Sequence, residues 1–148
     1  MTQRVIKFRA MRDDMNPSWV YGSLLYGGDI PRIQELPLFS LFTTCLKGTE
    51  GQFTGLQDRQ GKDIYEWDLC DDGAGNIAII EWAEDEVGFL WTHEAESQTP
   101  GSWCEVIGNI YENPELLKGP RGAEEGGFLV VPVLVKGRAP RSPQNTTR

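Results

Sequence analysis

"FTGLQDRQGKDIYEWD", Phe53 to Asp68, is the stretch whose reading decides the fold. Apolar Phe53 and Leu56 lead into a polar run, "QDRQGKD", and the chain leaves it as "IYEWD". Asp58, Gln60 and Gly61 are turn formers, and glycine reaches the positive φ that a tight hairpin needs. The stretch holds no metal-ligand spacing, no nucleophile beside a base and no phosphate loop. It reads as a turn that sets the register of two strands. Phe53 and Leu56 pack inward before the turn, and Tyr65, Trp67 and Leu69 share one strand face after it. Glu66 and Asp68 then fall on the opposite, solvated face.

Upstream, "RVIKFRAM" alternates, with Ile6, Phe8 and Ala10 on one side and Lys7 and Arg9 on the other. This is the period of a half-buried strand. "DDMNPS" is a turn. "WVYGSLLY" is a second strand ending at "GGD", and "ELPLFSLFTTCL" is apolar, with Pro37 marking an edge or a bend. Downstream, "DLCDDGAGNIAIIEWAEDEVGFLWTHEA" reads as strand, turn, strand, turn, strand. Ala78, Ile80 and Trp82 share a face there, as do Val87, Phe89 and Trp91. "SQTPGS" is a loop and "WCEVIGNIY" a further strand, in which Gly108 marks a bulge or a close backbone approach. In "NPELLK", Asn113 caps a short helix and Pro114 takes its first position.

Six or seven short strands with little helix predict a mainly β fold. The expected architecture is a small antiparallel β-barrel or barrel-like core from residues 63–112. The N-terminal strands of residues 1–62 pack on it, and one short helix lies near 113–118. Residues 119–127, "GPRGAEEGG", have the composition of a linker. Residues 128–148 comprise an apolar strand, "FLVVPVLVK", and a basic tail that reads as disordered. Pro132 removes one backbone donor, which suits an edge strand. An apolar run of this kind needs a cover. The sequence reading favours its exchange between subunits of a homo-oligomer.

At 148 residues the chain is long enough for one modest core. No apolar run reaches the roughly 18 residues of a membrane span. The start, "MTQRVIKFRAMRDD", lacks the apolar stretch of a signal peptide. Cys45, Cys70 and Cys104 are odd in number and widely spaced, which reads as thiols in a reducing cytoplasm. The formal net charge is −8 and is unevenly spread. Between Asp63 and Leu117 there is no Lys or Arg at all, whereas residues 126–148 hold four bases and no acid. A nucleic-acid groove needs cations to neutralise phosphates, so this middle segment repels DNA and RNA.

Several residues carry a chemical reading beside a structural one. Glu66 and Asp68, two apart on a strand, could form an acid/base pair; a solvated outer face is the plainer reading. "DDGAGN", Asp71 to Asn76, has some look of a calcium loop but lacks its ligand spacing and final glutamate, so a hairpin turn is expected. His93, next to Glu94, could serve as a base, or be an ordinary surface histidine. Trp82, Trp91 and Trp103 could stack bases or sugars; with no cations nearby, core packing is expected. Cys70 and Cys104 read as small buried residues. No catalytic, cofactor-binding or metal-binding residue is assigned, and no cofactor is expected.

Three pieces, in order along the chain, carry a family resemblance. They are "IKFRAM" followed by "WVYG", the block "GQFTGLQDRQGKDIYEWDL", and "VIGNIYENPELL", Val106 to Leu117. Together they resemble the YopX-like family of bacteriophage and prophage proteins over about residues 4–118. The family's central block has the pattern "FTGL-D-NGK-IYEGD", with glycine where this chain has Trp67. The resemblance implies a mainly β, phage-derived, cytoplasmic protein, and it implies no activity, because the family is of unknown function. Two function classes follow. One is a non-enzymatic accessory protein working through a surface, with itself or a basic host or phage protein as partner. The other is a small enzyme or nucleic-acid-associated factor whose site the sequence does not display.

Overall fold

The computed structural model describes residues 3–15, 18–35 and 41–117. The expectations for Pro37, the 119–127 linker and residues 128–148 lie outside the described residues. The chain forms two compact units that divide between Gln52 and Phe53. Every strand pair is antiparallel.

The first unit holds β1 (Phe8–Met11), β2 (Trp19–Gly27), β3 (Ile30–Gln34), β4 (Phe42–Thr44) and the first residues of β5 (Gly51–Gln57). Their order is β4-β3-β2-β1-β5. Gly28, at φ 70°, makes the tight turn between β2 and β3. Ala10, Val20, Ile33 and Cys45 form the core, with Phe8 and Leu24 against it. The strand expected over "RVIKFRAM", Arg4 to Met11, starts later, at Phe8, and Ile6 is 61% exposed. Arg9, assigned to the outward face, is buried with its guanidinium 4.2 Å over the Trp19 ring. A flat, weakly hydrated guanidinium stacks on an indole at lower cost than a lysine would.

The second unit holds the rest of β5, then β6 (Asp63–Tyr65), β7 (Asp68–Asp71), β8 (Ile77–Ala83), β9 (Gly88–His93), β10 (Glu96–Gln98) and β11 (Glu105–Asn109). A short 3-10 helix, Pro114–Leu117, follows where one was expected. β5 pairs with β6, and a five-stranded sheet runs β10-β9-β8-β7-β11. Ile64, Cys70, Ala78, Ile80, Trp91, Cys104 and Val106 make the core, joined by Leu56, Phe89 and Trp103.

The fold is mainly β, as expected, but its strands lie in two antiparallel sheets that do not close into a barrel. In the second unit β10 and β11 remain at opposite ends of an open sheet. A closing strand would need the outward amides of β11, and one of these, Val106 N–H, is already bonded to the Asp58 carboxylate.

Two strands go beyond the sequence reading. β3, "IPRIQ", and β10, "ESQ", lack a clear apolar alternation. Each is formed by a two-residue turn that folds it back on its predecessor.

Candidate functional site

The Phe53–Asp68 block is a frame built on two buried carboxylates. Asp58 is 4% exposed. Its Oδ1 accepts the N–H groups of Gln60 at 2.8 Å and Lys62 at 2.9 Å, which closes the turn. Its Oδ2 accepts Val106 N–H at 2.8 Å, which ties that turn to β11. Arg59 N–H adds a bond to the Cys104 carbonyl at 2.9 Å. Burial pushes the Asp58 carboxyl upward, but bonds from Val106, Lys62 and Gln60 outweigh it and hold it below the ordinary aspartate range. The negative charge is tolerated because backbone dipoles solvate it in place of water.

Asp68 is 1% exposed and accepts Tyr65 N–H at 2.8 Å. This corrects the reading of Glu66 and Asp68 as one solvated strand face. The strand expected to run through them is broken: Glu66 and Trp67 form the turn between β6 and β7. Trp67 has φ 79°, a left-handed conformation that favours glycine. Both of its backbone groups are engaged, the N–H with Ile80 C=O at 2.8 Å and the C=O with Ile110 N–H at 3.1 Å. Tyr65, Trp67 and Leu69 therefore do not line one strand. The sequence signal for this turn was the glycine that the family pattern carries where this chain has Trp67.

The remaining candidates fall into place individually. "DDGAGN" is the hairpin turn between β7 and β8, with Gly73 and Gly75 both at positive φ. Asp72 Oδ1 accepts the Ala74 and Asn76 N–H groups, and its Oδ2 accepts the Asn76 side-chain amide at 2.9 Å. The Asn76 side chain, then the Ala74 amide, lower the Asp72 carboxyl. The two oxygens thus serve the turn. Gly108 shows both features expected of it: the β7–β11 register shifts between Val106 and Gly108, and Asn113 packs closely on it. The Asn113 side chain corrects the capping expectation. Its Oδ1 accepts Asn109 N–H at 3.2 Å, turned back toward β11.

Trp91 is 1% exposed, donates Nε1–H to Cys70 C=O at 2.8 Å and meets Trp103 edge-on at 5.3 Å. Trp82 departs from the core assignment: it is 45% exposed and packs edge-to-face on Phe89. Val87 lies in the exposed turn before β9, at φ 52°, and not on a face with Phe89 and Trp91. His93 stacks on Trp91 at 5.8 Å, while Glu94 stands in the following turn at φ 55°. Cys45, Cys70 and Cys104 are free and buried. Burial pushes the Cys45 thiol up to about 11 and raises Cys70 too, the latter helped by Cys104. Thiols held protonated in this way are poor nucleophiles. Among the described residues no set of three His, Cys, Asp or Glu side chains converges as metal ligands, and no helix is long and apolar enough to cross a membrane.

Among the described residues, one surface feature is an open concavity of about 480 Å3 beside β8, β9 and β10. Glu84, Asp85 and Glu86 line it, with Ala83 and Leu90 as apolar surface and Thr92 and Ser97 supplying hydroxyls. The two hydroxyls bond each other at 3.0 Å. Sequence reasoning passed over this place, because "AEDEV" reads only as a polar turn and "ESQ" as loop.

Fold and site together define a small antiparallel β protein with carboxylate-braced turns. The chain belongs to the YopX protein family, whose sequence model matches residues 7–118. No curated protein matches the chain.

Proposed function

We propose that this chain is a non-enzymatic interaction module, encoded by a phage or prophage and working in the bacterial cytoplasm. Its binding surface is the acidic concavity beside β8–β10, and its partner is a basic host or phage protein. One observation carries the reading: residues 63–117 contain fourteen Asp and Glu and no Lys or Arg. The carboxylate of Asp68 is committed to the frame, whereas Glu81, Glu84, Asp85, Glu86, Glu94 and Glu96 are exposed around one set of strands. Such a field attracts cationic surfaces and speeds their encounter, and it repels phosphate backbones.

The test compares two baits in pull-downs from host cells at low and high salt. One is the native chain, and the other carries Glu84→Gln, Asp85→Asn and Glu86→Gln. A basic protein retained by the native chain, released by salt and lost with the substituted bait is the expected result. Equal recovery on both baits, or recovery of acidic proteins alone, overturns the reading.

A further inference from the structure

Two of the three thiols meet in one core. Cys70 lies in β7, between β8 and β11, and Cys104 stands just before β11. Both are 0% exposed and belong to the same buried cluster, whereas Cys45 belongs to the core of the first unit. The strand register explains the meeting. Cys70 is directly opposite Val106, which follows Cys104 by two residues. Residues two apart on a strand point to the same face, so Cys104 comes in diagonally beside Cys70. Cys104 N–H closes a turn on Gly101 C=O at 3.1 Å, and its thiol donates to the same carbonyl at 3.2 Å. The Cys104 sulfur is left as an acceptor, and the Cys70 thiol hydrogen-bonds to it.

We propose that Cys70 and Cys104 form a redox latch, in which a small-molecule disulfide of the glutathione class converts the two thiols into one disulfide within the chain. Cys104 reacts first. The segment before it, residues 99–103, is loop, with Thr99 and Ser102 exposed, whereas Cys70 has a strand on either side. The Cys104 thiolate attacks one sulfur of the oxidant, forms a mixed disulfide and expels the first small thiolate. The Cys70 thiolate then attacks the Cys104 sulfur and expels the second. Two electrons pass to the oxidant, and the two protons lost by the cysteines end on the released thiols. Sulfurs that already share a hydrogen bond need only close to about 2 Å. Enclosure keeps the pair unreactive until the loop opens, and an exposed loop opens at lower cost than the sheet.

The bond clips the start of β11 to β7. Arg59 N–H already holds Cys104 C=O, and the Asp58 carboxylate holds Val106 N–H. The latch therefore fastens the strand that anchors the Asp58 turn. It also closes the loop of residues 71–103, which removes conformational freedom from the unfolded chain. This inference goes beyond the interaction reading above and holds whether or not a basic partner exists.

Incubation of the folded, full-length chain with oxidised glutathione, followed by alkylation and peptide mass mapping, tests it. The expected result is the loss of two of the three free thiols and a linked peptide pair joining Cys70 to Cys104, in a yield that does not change on dilution. Cys70→Ala and Cys104→Ala should each abolish the link, and Cys45→Ala should leave it in place. The oxidised chain should melt about 5–10 °C above the reduced one, and a thiol reductant should reverse the shift. Three free thiols after incubation, a mixed disulfide with glutathione that persists, or a link that includes Cys45 overturns the pairing. A melting midpoint equal to or below that of the reduced chain overturns the latch.

Discussion

Two aspartates explain why the Phe53–Asp68 block is so constrained. Asp58 joins residues 48 apart, from its own turn to Val106. Asp58→Asn keeps the shape, but one oxygen becomes an NH2 group and faces a backbone donor. The expected cost is about 2 kcal/mol, read by urea denaturation. The pH dependence follows from the lowered carboxyl. A folded pKa below the unfolded value of about 3.9 stabilises the protein at higher pH. That contribution is lost as pH falls through the folded pKa, so the native chain should weaken below about pH 4 more steeply than D58N. Parallel pH profiles of the two chains would count against this role. Trp67 offers a second check. Trp67→Ala loses the indole and keeps the strain of φ 79°, whereas Trp67→Gly loses both. The glycine variant should therefore be the more stable of the two by about 1 kcal/mol, the reverse of the usual order in a strand.

At the scale of elements, Asn113 ties the end of β11 to the start of the 3-10 helix. A Cβ added at Gly108 would stand 2.7 Å from Asn113 Cγ and 2.9 Å from its Cβ. Asn113 in turn accepts Asn109 N–H, and Asn109 Oδ1 accepts the amides of Tyr111 and Glu112. Gly108→Ala should displace Asn113 and cost about 1–3 kcal/mol. Adding Asn113→Gly clears the space, so the double variant should be more stable than the sum of the singles by at least about 0.5 kcal/mol. Strict additivity would show that the two residues are not coupled. The bulge at Gly108 was legible in the sequence because a lone glycine in a strand pattern has few other uses. β10 was not legible: three polar residues, Glu96–Gln98, become a strand only because the Glu94–Ala95 turn returns them to β9.

For the whole molecule, charge gives the clearest expectation. Fluorescence anisotropy with duplex and single-stranded DNA should show no micromolar binding at physiological salt. The residues from Asp63 to Leu117 offer no Lys or Arg to neutralise phosphate. Micromolar binding that weakens as salt rises would show that the basic residues before Asp63 and after Gly127 assemble a site.

The sequence by itself determined the β class, the hairpin at Asp71–Asn76, the bulge at Gly108, the short helix after Asn113 and the absence of Lys and Arg from Asp63 to Leu117. Each rests on a local cause: side-chain alternation, a glycine that reaches positive φ, a proline at a helix start, or a simple count of charges. Only the tertiary structure decided that Asp58 and Asp68 are buried, that Trp82 is exposed and that the strands form open sheets. The same letters, an aspartate in a turn or a tryptophan in a strand, are compatible with either environment. Whether a carboxylate enters the interior depends on which backbone amides meet it there. For Asp58 one of those belongs to Val106, which no pattern within its own turn can specify.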